Sequence, residues 1–237
     1  MNYTIFCLPY AGGAASAYGD FKKIGIQMGF NIVPIELSGH ASRIKDGNYN
    51  TFDEAVDDCY EIIRTYLNNN LNNNYAIFGH SMGSWLAYEI ANKLIESDSV
   101  KNPDKLFFSA NHIPQSNLKE KASNMPDDMF WEYIYKQGGL EEELYNTKEF
   151  KEYFLPIIRH DYKLLENYSG NKVKKRYFDV DMYVLSGTQD NVSESQLNLW
   201  KQFAKKRFEI KWFEGDHFYF KDNPEKVMEY VFKKINE

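Results

Sequence analysis

The run Gly79-His80-Ser81-Met82-Gly83 places a serine between two glycines at the spacing G-x-S-x-G, with a strand-like run, Tyr75–Phe78, before it and a helical pattern after it. A strand that turns sharply into a helix holds such a serine in a strained backbone conformation and exposes its hydroxyl. The helix N-terminus favours negative charge developing beside it, and the flanking glycines admit neighbouring backbone where a Cβ would clash. The chemistry this allows is nucleophilic attack on an acyl carbonyl. Five-residue patterns recur by chance, and it is the strand before and the helix after that set this one apart. The motif specifies a hydrolase rather than a substrate.

A serine hydroxyl is a weak nucleophile without an adjacent base, and histidine is the usual base near neutral pH. Five histidines compete. His80 adjoins Ser81 on the tight turn and is expected to pack beside it. His40 follows the second strand-like run, His112 follows the fourth, and His160 lies in a helical region. Only His217 lies just beyond the last strand-like run and before the last helix, where a loop can reach the serine. The acid that orients the base should follow the preceding strand, in the order Ser…Asp…His. Asp190 does so, in Gly187-Thr188-Gln189-Asp190. Asp216 is the rival by adjacency, but neighbours in an extended loop diverge, and Asp179 and Asp181 precede their strand. The catalytic set is therefore Ser81, Asp190 and His217.

The tetrahedral oxyanion needs two backbone donors. One is expected from Met82, the residue after the nucleophile. The other should come from Leu8-Pro9-Tyr10-Ala11-Gly12-Gly13 after the first strand, with Ala11 chosen and Tyr10 or Gly12 as substitutes. A glycine-rich loop could instead cradle phosphate, but this one has neither GxGxxG nor the Lys-Ser/Thr pair of a P-loop.

Strand-like runs at Tyr3–Leu8, Ile32–Leu37, Tyr75–Phe78, Leu106–Ala110, Met182–Ser186 and Glu209–Phe213 must position these residues. Helical patterns separate most of them. Phe52–Leu67 opens on the capping box Thr51/Glu54, Met82–Glu96 follows the serine, and Glu194–Lys206 opens on Ser193/Gln196. Asn223-Pro224 starts the last helix. Alternating strands and helices imply parallel pairing with right-handed crossovers, and with the serine turn they indicate an α/β-hydrolase fold: one domain over residues 1–237, a mostly parallel sheet flanked by helices. Residues 112–177 break the rhythm with helical stretches at Asp127–Gln137 and Thr147–Asn167, which reads as a helical lid inserted between two strands. Its Met125, Met129, Phe130, Trp131, Tyr133, Phe154 and Tyr162 are expected mainly as lid core.

The 237 residues, 43% hydrophobic, can bury one substantial core, and a net charge of −6 argues against nucleic acid. Cys7 and Cys59 form no CxxC pair and read as packed thiols. The chain begins on a strand-like run without signal-peptide features, and no apolar run approaches a membrane span. A cytoplasmic monomer that needs no metal or bound cofactor is expected.

Taken together, these segments resemble the type II thioesterases, the stand-alone enzymes that accompany nonribosomal peptide and polyketide synthases. The likeness runs through Leu8–Gly13, Leu37-Ser38-Gly39-His40 with Arg43, Gly79–Gly83, Leu155-Pro156-Ile157-Ile158-Arg159-His160-Asp161-Tyr162 and His217-Phe218-Tyr219. It implies a substrate acylated on the phosphopantetheine arm of a carrier protein, from which stalled or misprimed units are removed. Two positions depart from the pattern: Ser38 stands where proline is usual, and Asp216 where glycine precedes the histidine. Lys172, Lys174, Lys175 and Arg176 could meet an acidic carrier, although a solvated loop is the plainer reading. A small-molecule carboxylesterase with the same triad and a silent binding protein on the same scaffold are the competing functions.

Overall fold

Most strands carry apolar residues at consecutive positions, the pattern of strands covered on both faces. The computed structural model describes residues 3–70, 74–97, 100–114, 121–138, 140–168 and 177–237. Six strands, β1 (Tyr3–Leu8), β2 (Asn31–Pro34), β3 (Asn74–His80), β4 (Lys105–Ser109), β5 (Asp181–Gly187) and β6 (Phe208–Phe213), form one sheet in the order β2-β1-β3-β4-β5-β6. Every pairing is parallel. This is the sheet of an α/β hydrolase, and all its strand carboxyl ends lie at one edge.

Alternate side chains point to opposite faces. Phe6, Ile77, Phe108 and Val184 pack with α2 (Phe52–Asn69) and α3 (Met82–Ser97). Ile5, Cys7, Phe78, Phe107 and Leu185 pack on the other side with residues of α1 (Gly19–Met28) and, at the C-terminus, the helix Pro224–Asn236. Cys7 and Cys59 are free and buried, as expected of packed thiols. Thr51 caps α2 by accepting from the Glu54 N–H.

Between β4 and β5 lie a 3₁₀ turn at Ala122–Asn124 and three helices, α4 (Asp127–Lys136), α5 (Glu142–Tyr145) and α6 (Lys148–Tyr168). Ala122, Phe130, Trp131 and Leu155 form a separate small core there. After β5 follow α7 (Glu194–Asn198) and, beyond β6, α8 (Tyr219–Asp222) and α9, the terminal helix just described. No described helix is long and apolar enough to cross a membrane.

Several boundaries differ from expectation. Helix α1 was not anticipated, because its two glycines dilute the helical pattern. The second strand stops at Pro34 rather than Leu37, with the Ile35 N–H still bonded to the Cys7 carbonyl before the chain turns away. The helix expected over Glu194–Lys206 ends as α-helix at Asn198 and tightens into a 3₁₀ turn, Leu199–Phe203. Ala204 is drawn into a bridge with Phe178, and the shorter repeat lets both Trp200 and Phe203 reach the core. The Ser193/Gln196 capping box is present.

At the junction of β3 and α3, a Cβ added to Gly83 would lie 2.1 Å from the Leu8 carbonyl oxygen of β1, and one on Gly79 would lie 2.0 Å from the Gly83 carbonyl oxygen. Both contacts are with backbone, which cannot rotate aside. Gly83→Ala is therefore expected to destabilise the fold by at least the ~1–3 kcal/mol typical of overpacking, read as a lowered denaturant midpoint; an unchanged midpoint would refute the close approach.

Candidate active site

The turn from β3 into α3 places Ser81 at φ 55°, a left-handed conformation that costs a non-glycine residue about 1–3 kcal/mol. Its surroundings hold it there. The Ser81 N–H donates to the Ser109 carbonyl at 2.8 Å, and Asn111 Nδ2 donates to the Ser81 carbonyl at 2.9 Å. Ser84 Oγ donates toward the Gly79 and Ser109 carbonyls and accepts from the Ser109 N–H. The sequence reading missed Asn111, Ser84 and Ser109, whose role depends on two strand ends meeting.

Asp190 follows β5 and His217 follows β6, so both reach the sheet edge that carries Ser81. His217 Nδ1 lies 3.1 Å from each oxygen of Asp190. The Asp190 side chain is 1% exposed and that of His217 15%. Ser186 Oγ also donates to Asp190, at 3.2 Å. Asp216 takes no part in this pair. Its Oδ1 accepts from the Phe218 N–H at 2.7 Å, and its carboxylate fills the space that a Cβ on Gly138 would need.

The other histidines have separate duties. His80 is fully buried, with Nδ1 on Ser109 Oγ, which meets the Tyr219 hydroxyl. Burial, aided by nearby His217 and Lys221, holds His80 well below the ordinary histidine pKa, so it stays neutral. His112 bonds the Ile113 carbonyl, and burial lowers its pKa also. His160 Nε2 bonds the Tyr49 carbonyl.

Of the donors considered for the oxyanion, Met82 opens α3, where an N–H has no helical acceptor. Ala11 lines the cavities beside Ser81. Gly12 is not available, because its N–H donates to Asp161 Oδ2 at 2.6 Å. That carboxylate also meets His40 Nε2 at 2.9 Å, and the pair is almost fully buried. Asp161 and His40 are 121 positions apart, so sequence alone could not pair them.

Two cavities meet at Ser81, sharing Ala11, Gln137, Tyr162 and His217 in their walls. The first, about 340 Å³, is lined by apolar side chains including Ile134, Leu140, Leu144, Phe150, Phe154 and Ile158. The second, about 260 Å³, is also mainly apolar, with Trp85, Tyr133, Leu165 and Val192 in its wall, but it carries more polar side chains, among them Asn111, Glu166, Asn191 and Gln196. Phe154, Tyr133 and Tyr162 thus face cavities, Phe130 and Trp131 are core, and Met129 is exposed. Among the described residues, no group of three or more His, Cys, Asp or Glu is placed to hold a metal ion.

Both departures from the resembled pattern have local explanations. The Ser38 N–H, which proline would lack, donates to the Tyr49 hydroxyl at 2.8 Å. Asp216 caps the turn that follows it. The basic cluster Lys172, Lys174, Lys175 and Arg176 lies outside the described residues.

Comparison with known proteins adds to this geometry. The gramicidin S biosynthesis protein GrsT of Aneurinibacillus migulanus is 27% identical over 98% of this chain and 88% of its own length. A medium-chain S-acyl fatty acid synthase thioesterase of Anas platyrhynchos is also 27% identical, over 98% and 91%. The crystal structure of ClbQ, from the colibactin nonribosomal peptide/polyketide pathway, superposes with a TM-score of 0.90 at 30% identity, covering 100% of this chain and 98% of its own. The Thioesterase domain profile matches residues 3–235, and the chain belongs to that family of serine-dependent acyl-thioester hydrolases.

Proposed function

We propose that this protein is a stand-alone editing thioesterase that hydrolyses acyl groups from the phosphopantetheine arm of carrier proteins in nonribosomal peptide or polyketide synthesis. The observation that carries this reading is the meeting of two cavities at Ser81 and His217, the first walled by Ile134, Leu140, Phe150 and Phe154 and the second carrying Asn111, Asn191 and Gln196. A thioester centred there has room on two sides: the acyl group enters the first cavity, and the amide-bearing pantetheine arm lies in the second, within reach of the Asn111, Asn191 and Gln196 side chains. The likeness to GrsT and ClbQ supports a synthase carrier as partner. The chain acts as a cytoplasmic monomer, since one mouth per chain suffices for a tethered arm, and uses no bound cofactor.

Ser81 Oγ attacks the thioester carbonyl while His217 Nε2 takes its proton. Asp190 holds the His217 Nδ1–H, fixing the tautomer and stabilising the imidazolium. The Met82 and Ala11 N–H groups receive the oxyanion, each such donor contributing about 3–4 kcal/mol in the transition state. The C–S bond breaks and His217 protonates the departing thiolate. Water, deprotonated by His217, then attacks the acyl-serine; the carboxylic acid leaves and Ser81 recovers its proton.

Ser81→Ala is expected to abolish hydrolysis of acyl-carrier substrate and leave the thermal midpoint nearly unchanged; substantial residual activity would remove Ser81 as nucleophile. Asp190→Asn should lower kcat by about 10³–10⁴, whereas Asp216→Asn, which keeps an acceptor for Phe218, should cost less than about threefold. The reverse ranking would assign the acid to Asp216. Comparing acyl-carrier with p-nitrophenyl ester turnover separates this reading from a carboxylesterase, which would favour the free ester.

The 27% identity to a medium-chain S-acyl fatty acid synthase thioesterase favours a second substrate class, a medium-chain acyl group, in the first cavity. Leu144→Trp narrows that cavity, so turnover of octanoyl-carrier should fall well below that of acetyl-carrier. Equal losses on both would place the acyl chain elsewhere.

A further inference from the structure

A buried carboxylate that lines neither cavity at Ser81 requires an explanation, and Asp161 of α6 is one. Its Oδ2 accepts from the Gly12 N–H at 2.6 Å and meets His40 Nε2 at 2.9 Å, while His40 Nδ1 lies 3.0 Å from the Ser38 carbonyl. A carbonyl can only accept, and an ionised carboxylate can only accept. Both His40 ring nitrogens therefore face acceptors, which calls for a proton on each. Three segments remote in sequence, the loop after β1, the loop after β2 and helix α6, converge on this pair.

The loop after β1 is held at successive peptide units. The Gly13 N–H donates to the Tyr10 carbonyl at 2.8 Å. That carbonyl shares a planar trans peptide with the Ala11 N–H, so fixing one aims the other in the opposite direction. The next peptide is fixed by Asp161 through Gly12. Gly12 itself sits at φ 76°, with a Cβ there falling 2.3 Å from Ile158 Cγ1 of α6.

We infer that Asp161, held by a doubly protonated His40, is a positioning residue that aims the Ala11 N–H at the reacting carbonyl and thereby makes hydrolysis depend on the His40 proton. The inference rests on the reading of Ala11 as an oxyanion donor. The groups facing His40 agree with retention of its proton. Burial opposes the charge, but the Asp161 hydrogen bond and charge, the Ser38 carbonyl and the Glu36 carboxylate together raise its pKa above the ordinary 6.5. The folded chain thus holds this proton more tightly than the unfolded chain does. Its contribution to stability is complete below the unfolded value and is lost as pH rises through the folded one. Turnover should fall as pH rises through the folded value of His40.

The test measures kcat and KM against pH with acyl-carrier substrate for the wild type, Asp161→Ala and His40→Gln, alongside histidine ¹⁵N spectra. Asp161→Ala should lose about 10–100-fold in kcat, less than deleting an oxyanion donor outright, with KM within about twofold. His40→Gln keeps a donor toward Asp161 without a titrating proton. Its kcat should drop less than about tenfold, and its profile should no longer fall at alkaline pH. The wild-type spectrum should show both His40 nitrogens protonated at neutral pH. A bare His40 nitrogen there, an alkaline fall that survives in His40→Gln, or an Asp161→Ala defect confined to KM would each overturn the inference. If wild-type protein hydrolyses thioesters and Asp161→Ala matches it, only this positioning role fails; if wild-type protein is inactive, the functional reading itself fails.

Discussion

The tight approach of β1, β3 and α3 at Ser81 is the constraint on which the rest of the active site depends. No side chain larger than hydrogen fits at Gly79 or Gly83, so the serine turn can lie directly against the end of β1. That contact sets the distance between the nucleophile and the loop after β1. The left-handed backbone at Ser81 is unfavourable in isolation and persists because β4 over-determines it. The Ser109 carbonyl, the Ser84 hydroxyl and the Asn111 amide all hold the turn. Asn111 is in turn held by Trp200, whose Nε1 donates to its carbonyl while its ring stacks on Phe108 at 4.1 Å. Packing in the sheet core is thereby transmitted to the serine through one indole.

A second centre of order is the run Arg159-His160-Asp161 on α6. Successive helical residues point about 100° apart, so three neighbours can grip three different partners. Arg159 bonds the Ser123 and Met125 carbonyls at 2.6 and 2.7 Å, and pairs with Asp127 at the start of α4. His160 bonds the Tyr49 carbonyl, before α2. Asp161 bonds Gly12 and His40. Helix α6 is thus joined both to the other inserted helices and to the sheet-side loops. Breaking a buried ion pair by removing one partner typically costs about 3–5 kcal/mol, so this part of the insertion is anchored more strongly than α4 and α5. Met129 of α4 is exposed.

The sequence was legible wherever a candidate residue follows a strand. Ser81, Asp190 and His217 could be expected to meet because a parallel sheet brings its strand ends to one edge, which turns order along the chain into proximity. Boundaries were harder. The 3₁₀ turn through Trp200 and the early end of β2 are set by tertiary pairing with Phe178 and by the departure of the chain after Pro34, neither of which has a local sequence signal. The His40–Asp161 pair was illegible for a different reason. Both residues stood inside recognisable segments, but nothing in the spacing relates a loop after β2 to a helix more than a hundred residues later. The two cavities at Ser81 likewise appear only once α4, α5 and α6 lie over the sheet edge.

Asp216 shows how adjacency in sequence can work against a catalytic role. Its carboxylate accepts the N–H of Phe218, two residues on, which closes a local turn around His217. Within that turn the imidazole faces Asp190, which reaches Nδ1 from the neighbouring strand end. The Asp216 carboxylate lies against Gly138 instead of the ring. The same turn leads directly into α8, where Tyr219 is buried against Ser109 and so returns to the strand that holds Ser81. His217 and Ser81 are fixed to β4 from two sides, the serine through its backbone and the histidine through its chain neighbours. Their relative position is therefore set by the sheet.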